Sequence, residues 1–262
     1  MGNLMKTLYA MITRNCNLTC PHCDIRTNAA DSFNPELFYE RLKEFDGHKI
    51  IFGGEPSLYV DRIKMAVKYC DSISTNLLHL TDELIEIYQD LGIATSWNPA
   101  RFSPQEYKTW IANVKKLSNN KPMLLITLTP DLLTYKNFKQ LILNEFEGLF
   151  ESIVFEQLID KTKDQSFYSA VDEWLCDLHD FWIHNISTPC YPFERTDWQF
   201  DCAENWTMLP NGLMRYGCPN YPNNYQGILS DCYHCEYVSI CRPCQLQKQC
   251  SCPKQLMKKI KK

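Results

Sequence analysis

The sequence predicts a parallel α/β fold: a partial (β/α)6, TIM-like barrel of residues 1–187 followed by a small cysteine-rich domain of residues 188–262. Two observations predict the barrel and a third predicts the appendage. Short apolar runs alternate six times with helix-length stretches, and no hairpin signal separates them. That order implies parallel pairing with right-handed crossovers. Polar features recur at the carboxyl ends of four successive runs, the face on which parallel α/β architectures build their sites. After about residue 187 the helical periodicity stops, and Cys, Pro, aromatic and Asn residues rise. An open doubly wound sheet is the competing arrangement.

The expected strands are 7–13, 49–53, 72–75, 93–97, 123–129 and 152–158, each a short run rich in β-branched and large apolar residues. Helices are expected at 35–45, 59–70, 81–91, 104–117, 132–146 and 168–183. Two of these have sharp start signals. Asn34 precedes Pro35, and Thr81 precedes the acidic pair Asp82 and Glu83. In the C-terminal region, 206–217 (WTMLPNGLMRYG) reads as a β-hairpin, with Asn-Gly suited to the positive φ of a tight turn. Cys202 and Cys218 flank it. From 232 onward there are too few aliphatic residues for a core, so this part needs a metal staple.

Charge is nearly balanced, with a formal net charge of -4, which leaves no footprint for general nucleic-acid binding. The one basic run, Lys258, Lys259, Lys261 and Lys262, reads as a frayed, solvated end. No signal peptide, myristoylation pattern or membrane-length apolar run is visible, so the expected location is the cytoplasm, with no membrane partner.

In a reducing compartment, clustered cysteines argue for metal binding rather than disulfides. There are fourteen. Cys70 and Cys176 stand alone on helical stretches and read as small buried hydrophobes. Cys16, Cys20 and Cys23 form one group, and nine more fall between Cys190 and Cys252.

The first group, Cys-x3-Cys-x2-Cys, suits neither a redox Cys-x2-Cys pair nor a four-ligand zinc site. His22, between Pro21 and Cys23, is a poor fourth zinc ligand. Four-iron clusters are normally held by four thiolates. Three leave one iron uncovered, able to bind a substrate or cofactor directly.

Placed after a first strand and followed by Gly53-Gly54-Glu55-Pro56 after the second, this triplet resembles the radical S-adenosylmethionine (SAM) superfamily over roughly residues 7–158. The resemblance implies a [4Fe-4S] cluster on Cys16, Cys20 and Cys23 whose open iron chelates the methionine part of SAM. It further implies reductive cleavage to a 5′-deoxyadenosyl radical and abstraction of a hydrogen atom from the substrate. An electron donor such as flavodoxin or ferredoxin goes with that chemistry. In this frame Gly53 and Gly54 let backbone pass close to the cofactor, and Glu55 accepts from its cationic amino group. Ser96 matches the residue that contacts the ribose, with Asn98 as its alternate. Thr75-Asn76 resembles the family's TNG, with Leu77 in place of glycine.

The second set, Cys202-x9-Gly212-x5-Cys218 and Cys232-x2-Cys235-x5-Cys241-x2-Cys244, resembles the SPASM extension of these enzymes, which carries auxiliary [4Fe-4S] clusters. Carried over, Cys202, Cys218 and Cys244 hold the first, with Cys190 as fourth ligand. Cys232, Cys235 and Cys241 hold the second, closed by Cys252 or Cys250. Spacings near Gly212 and Cys244 depart from the usual pattern, and a single auxiliary cluster is the reduced alternative. Such clusters accept electrons at potentials set by burial and hydrogen bonding.

Glu156, Asp201 and Tyr216 are the acid–base candidates. SPASM relatives mostly modify peptides or proteins, which makes this chain an expected oxidoreductase or peptide-modifying enzyme. The triplet begins at residue 16, without a preceding peptide-recognition domain. Recognition by a separate protein, or a small substrate such as a nucleotide, sugar or amino-acid derivative, is therefore expected. A zinc-stabilised module binding protein or nucleic acid is the alternative from another class.

Overall fold

The computed structural model describes residues 6–21, 23, 25, 32–157, 165–193, 205–216, 255, 256 and 259, with backbone alone at 157, 165, 205, 215 and 216. In chain order its strands are β1 (Thr7–Thr13), β2 (His48–Gly53), β3 (Ser72–Ser74), β4 (Gly92–Trp97), β5 (Met123–Leu128), β6 (Ile153–Gln157), β7 (Cys190–Tyr191), β8 (Asn205–Met208) and β9 (Met214–Tyr216). The helices are α1 (Pro35–Glu44), α2 (Val60–Ala66), α3 (Asp82–Tyr88), α4 (Pro104–Lys116), α5 (Pro130–Leu133), α6 (Phe138–Leu141) and α7 (Gln165–Asn185). The fold is the parallel α/β class that the alternating runs predict, open and TIM-like. No described helix is long and apolar enough to cross a membrane.

The chain divides into two compact units. One comprises Met1–Ser96, Ala100–Met123 and Asp201–Tyr225. Its strands follow the order β4-β3-β2-β1-β8-β9, and every pairing in it is parallel except β8 with β9. Strand β1 is buried along nearly its whole length, as expected of a parallel strand covered on both faces. The helices start where short polar caps allow. Asn34 accepts from Leu37 N at 3.2 Å and Thr81 from Leu84 N at 3.2 Å. Ser103 and Glu106 form a reciprocal capping box on α4. Helix α1 then buries Phe38 and Leu42, four residues apart on one face, each contributing about 1.5–3 kcal/mol.

The hairpin expected at 206–217 is β8 and β9, closed at Gly212, where φ is +81°. A Cβ there would lie 2.6 Å from Leu37 Cγ, so the turn needs glycine for space as well as for φ. Unforeseen from the sequence, β8 pairs in parallel with β1, from Thr7 with Asn205 to Ala10 with Met208. The hairpin therefore extends the sheet that carries the first cysteine group.

The second unit comprises Trp97–Pro99, Leu124–Phe200 and Gln226–Lys262. Strands β5, β6 and β7 pair in parallel, and α7 contributes Trp182 to an aromatic core with Phe155 and Phe193. The helix expected at 132–146 is broken. Thr134 donates its hydroxyl back to Pro130 O and Asp131 O at 3.2 Å, ending α5. The chain restarts as α6, widens to a π turn over Ile142–Phe146 and turns at Gly148, φ +69°. Likewise the stretch 59–70 is α2 followed by a 3-10 turn, Val67–Tyr69.

Of the C-terminal residues, Gln255, Leu256 and Lys259 are described, and these are docked, while Lys258, Lys261 and Lys262 lie outside the described residues. Leu256 is wholly buried, and Asp172 of α7 accepts from Gln255 N and Leu256 N at 2.9 and 3.0 Å. Lys259 Nζ pairs with Asp180 at 2.6 Å. The apolar Leu256, just before the basic run, anchors this stretch.

Candidate active site

Strand β1 delivers the cysteine loop. Its register against β2 slips between Met11 and Thr13, and Thr13 Oγ1 accepts from Asn15 N at 3.0 Å, turning the chain out of the sheet. Leu18 and Ile25 are buried apolar anchors. Of the three cysteines, Cys16 and Cys20 are half-buried and Cys23 is exposed. Cys16 Sγ accepts from Leu18 N at 3.4 Å, and Cys23 N donates to Cys20 O at 3.2 Å. Burial pushes the Cys16 thiol above its ordinary value. The Leu18 N–H opposes this, Glu55 and Cys20 add to it, and the Arg101 guanidinium lowers it.

The segment after β2 is stitched to this loop. Gly54 N donates to Thr13 O at 2.9 Å and Glu55 N to Asn15 O at 2.7 Å. A Cβ on Gly53 would strike Thr13 O, and one on Gly54 would strike Asn15 O. Gly53 also has φ +147°. Among the described atoms, then, the two glycines are required by the close approach of residues 13–15. The role expected for them beside a cofactor is additional to that.

Glu55 is 1% exposed. Its Oε1 accepts from Ser57 N (3.0 Å) and Thr75 Oγ1 (2.7 Å), and its Oε2 accepts from Asn76 N (2.6 Å). A carboxylate offers about four acceptor positions, so three protein donors leave room for roughly one more. Thr75 and Asn76 are buried. Leu77, standing where the TNG pattern of the resemblance has glycine, holds φ +55° and is fully buried. Asn113 Nδ2 clamps its carbonyl at 2.8 Å.

Of the other expected residues, Ser96 is half-buried on β4. Asn98 belongs to the second unit, where its Nδ2 donates to Thr127 O (3.2 Å) and Thr129 Oγ1 (2.7 Å). Also in that unit, Glu156 is an exposed residue of β6 in register with Thr127. Cys190 is buried on β7, paired to β6. Tyr216 closes β9. Asp201, Cys202, Cys218, Cys232, Cys235, Cys241, Cys244, Cys250 and Cys252 lie outside the described residues, as does His22.

Five residues that the sequence did not single out belong to the site's frame. Asn15 Nδ2 donates to Tyr59 OH at 2.5 Å, and Asn76 Nδ2 to Asn17 Oδ1 at 2.6 Å. Arg62 donates to Ile12 O at 2.6 Å, its guanidinium 4.1 Å from the Phe33 ring centroid and 4.2 Å from that of Tyr59. Arg101 follows β4, and its Nε is buried with no partner among the described residues. Tyr59 and Arg62 closely follow the GGEP motif. Their position was readable, but a contact to a loop more than forty residues earlier has no local signal.

The donor set fits an iron–sulfur cluster better than a single ion. A four-iron cluster takes one thiolate per iron, and one loop presents three.

Residues 11–131 match the Radical SAM superfamily. This stretch runs from within β1 to the start of α5. Among solved structures, SuiB of Streptococcus suis shares the fold at 14% identity, with a TM-score of 0.65 over 91% of this chain and 72% of that one. SuiB bound to S-adenosylmethionine gives 0.61 at 14% identity over the same shares. SuiB bound to its precursor peptide SuiA gives 0.62 at 14% identity, covering 95% of this chain and 75% of that one. No curated protein sequence matches the chain.

Proposed function

We propose that this chain is a radical SAM oxidoreductase that modifies a peptide or protein, with Cys16, Cys20 and Cys23 holding a [4Fe-4S] cluster and the C-terminal cysteines holding auxiliary clusters. One observation carries the reading. The three-cysteine loop and the Gly53–Glu55 segment form a single hydrogen-bonded unit at the carboxyl ends of β1 and β2. When bound, the cluster and SAM supply one-electron cleavage of the cofactor and hydrogen-atom abstraction from the substrate.

The chain's own residues do the holding. Three thiolates each take an iron and leave the fourth without a ligand from the loop. Loading must displace the Cys16 proton, which burial holds on. The remaining lone pair of Glu55 accepts from an ammonium group, which a carboxylate deprived of water favours. The Nε–H of Arg101, without a partner among the described residues, suits an anionic group such as a carboxylate. Ser96 offers a hydroxyl to a ribose. Support for a peptide substrate is the fold shared with SuiB, one of whose structures holds a precursor peptide.

Anaerobic reconstitution tests the cofactor half of the proposal. About four irons are expected on the first site, with more if the auxiliary sites load, together with 5′-deoxyadenosine formed from SAM under reduction. Zinc without iron or cleavage would overturn the enzyme reading in favour of a zinc-stabilised module. Coexpression with short peptides encoded beside the gene tests the substrate half. A mass change in one of them supports a peptide substrate, whereas modification of a sugar, nucleotide or amino-acid derivative alone would replace it.

A further inference from the structure

We infer that Asn76 is a positioning residue for the cluster loop, acting through Asn17; this rests on the radical SAM reading of that loop. Asn76 Nδ2 donates to Asn17 Oδ1 at 2.6 Å, and Asn17 is the neighbour of Cys16. The amide orientations are fixed by the surroundings. Asn76 Oδ1 accepts from Leu78 N at 3.0 Å, so its Nδ2 must face Asn17, which must then present its oxygen. The donor is rigid, because Asn76 is 2% exposed and its own N–H is held by Glu55.

The turn that aims it is sustained against a conformational cost. Leu77 sits at φ +55°, a region a leucine rarely adopts. Its N–H reaches Thr75 Oγ1 at 3.2 Å, and Asn113 clamps its carbonyl. Asn17, by contrast, is exposed. Without this bond the segment between Cys16 and Leu18 would lack its described side-chain tie to β3. Asn76 thus does for the Cys16 end of the loop what Glu55 N does for Asn15.

A pair of variants at the exposed Asn17 isolates the bond. Asn17→Asp keeps an acceptor facing Asn76 and keeps the link. Asn17→Ala removes the acceptor and leaves Asn76 its contacts with Glu55 and Leu78.

The readouts, on anaerobically reconstituted full-length protein, are iron content, the electron paramagnetic resonance spectrum of the reduced cluster with and without SAM, and the SAM concentration that half-saturates the change. Asn17→Asp should resemble the wild type. Asn17→Ala should load iron yet give an altered spectrum and need about tenfold more SAM. Equal behaviour of the two variants, shifted or unshifted, would overturn the inference. A wild-type spectrum in Asn17→Ala would also overturn it. A wild-type protein with no SAM-responsive cluster signal would instead fail the underlying reading.

Discussion

The peptide N–H of Glu55 donates to the carbonyl oxygen of Asn15 at 2.7 Å, and a Cβ on Gly54 would strike that same oxygen. The loop that carries the cysteines and the segment that follows β2 are thus joined backbone to backbone, at a distance only glycine permits.

Gly54→Ala should therefore damage the cluster loop itself. Backbone cannot move aside as a side-chain tip can, so about 1–3 kcal/mol of stability should be lost, and iron retained at the first site should fall. Gly148→Ala is the comparison. It has φ +69° but nothing within 4 Å, so it should cost about 1–2 kcal/mol and leave iron content unchanged. Urea unfolding and iron analysis of the two variants check this.

Glu55→Gln replaces one acceptor oxygen with a donor in a site where three protein donors converge. One N–H or O–H must then face an NH2 group without water. A loss of about 1.5–3 kcal/mol in urea unfolding is expected, even in protein lacking the cluster. An unchanged midpoint in the apoprotein would show that the carboxylate is not the latch between β2 and β3.

At Leu77 two effects compete. Glycine would relieve the left-handed strain, about 1–2 kcal/mol, but would remove a fully buried leucine, where truncation to alanine alone costs about 2–5 kcal/mol. Burial wins by magnitude. Leu77→Gly should be net destabilised by about 1–4 kcal/mol, measured by urea unfolding. A stabilised variant would mean that strain dominates.

Burial pushes the Cys70 thiol up to about 12. In the unfolded chain it ionises near 9, so between those values the unfolded state loses a proton that the folded state keeps. The contribution is fully present below pH 9 and is lost progressively as pH rises toward 12, by at most about 1.4 kcal/mol per unit. Tyr39, also raised to about 12 by burial, adds to the alkaline loss in both proteins and cancels in a comparison. Stability measured from pH 8 to 11 should therefore fall less steeply in Cys70→Ala than in the wild type; parallel curves would contradict the assignment.

Much of this was legible in the sequence because it is local. The first six strands fall within a residue or two of their apolar runs, as β1 at Thr7–Thr13 does. Asn34 and Thr81 cap the helices that they announce, because a short polar side chain before a periodic run has little else to bond. The motifs of the site fell at strand ends for the same reason. What stayed hidden depends on contacts between distant segments. Nothing in WTMLPNGLMRYG says that its first strand pairs with β1. Nothing near Arg62 points to Ile12. The 132–146 stretch keeps its apolar period through the break, so only the Thr134 hydroxyl, competing for backbone carbonyls, reveals why the helix stops. Leu77 shows the opposite case, where the sequence departs from the glycine of the TNG pattern that it resembles and the turn is made regardless.

The central claim is that Cys16, Cys20 and Cys23 form an open three-thiolate site that cleaves SAM. It is tested most directly by quantifying 5′-deoxyadenosine made from SAM by the reduced, anaerobically reconstituted protein and by its Cys16→Ala/Cys20→Ala/Cys23→Ala variant. The account predicts cleavage by the wild type and none by the variant, even where the variant still binds iron at its C-terminal cysteines. Equal cleavage by both, or none by an iron-loaded wild type, would contradict it.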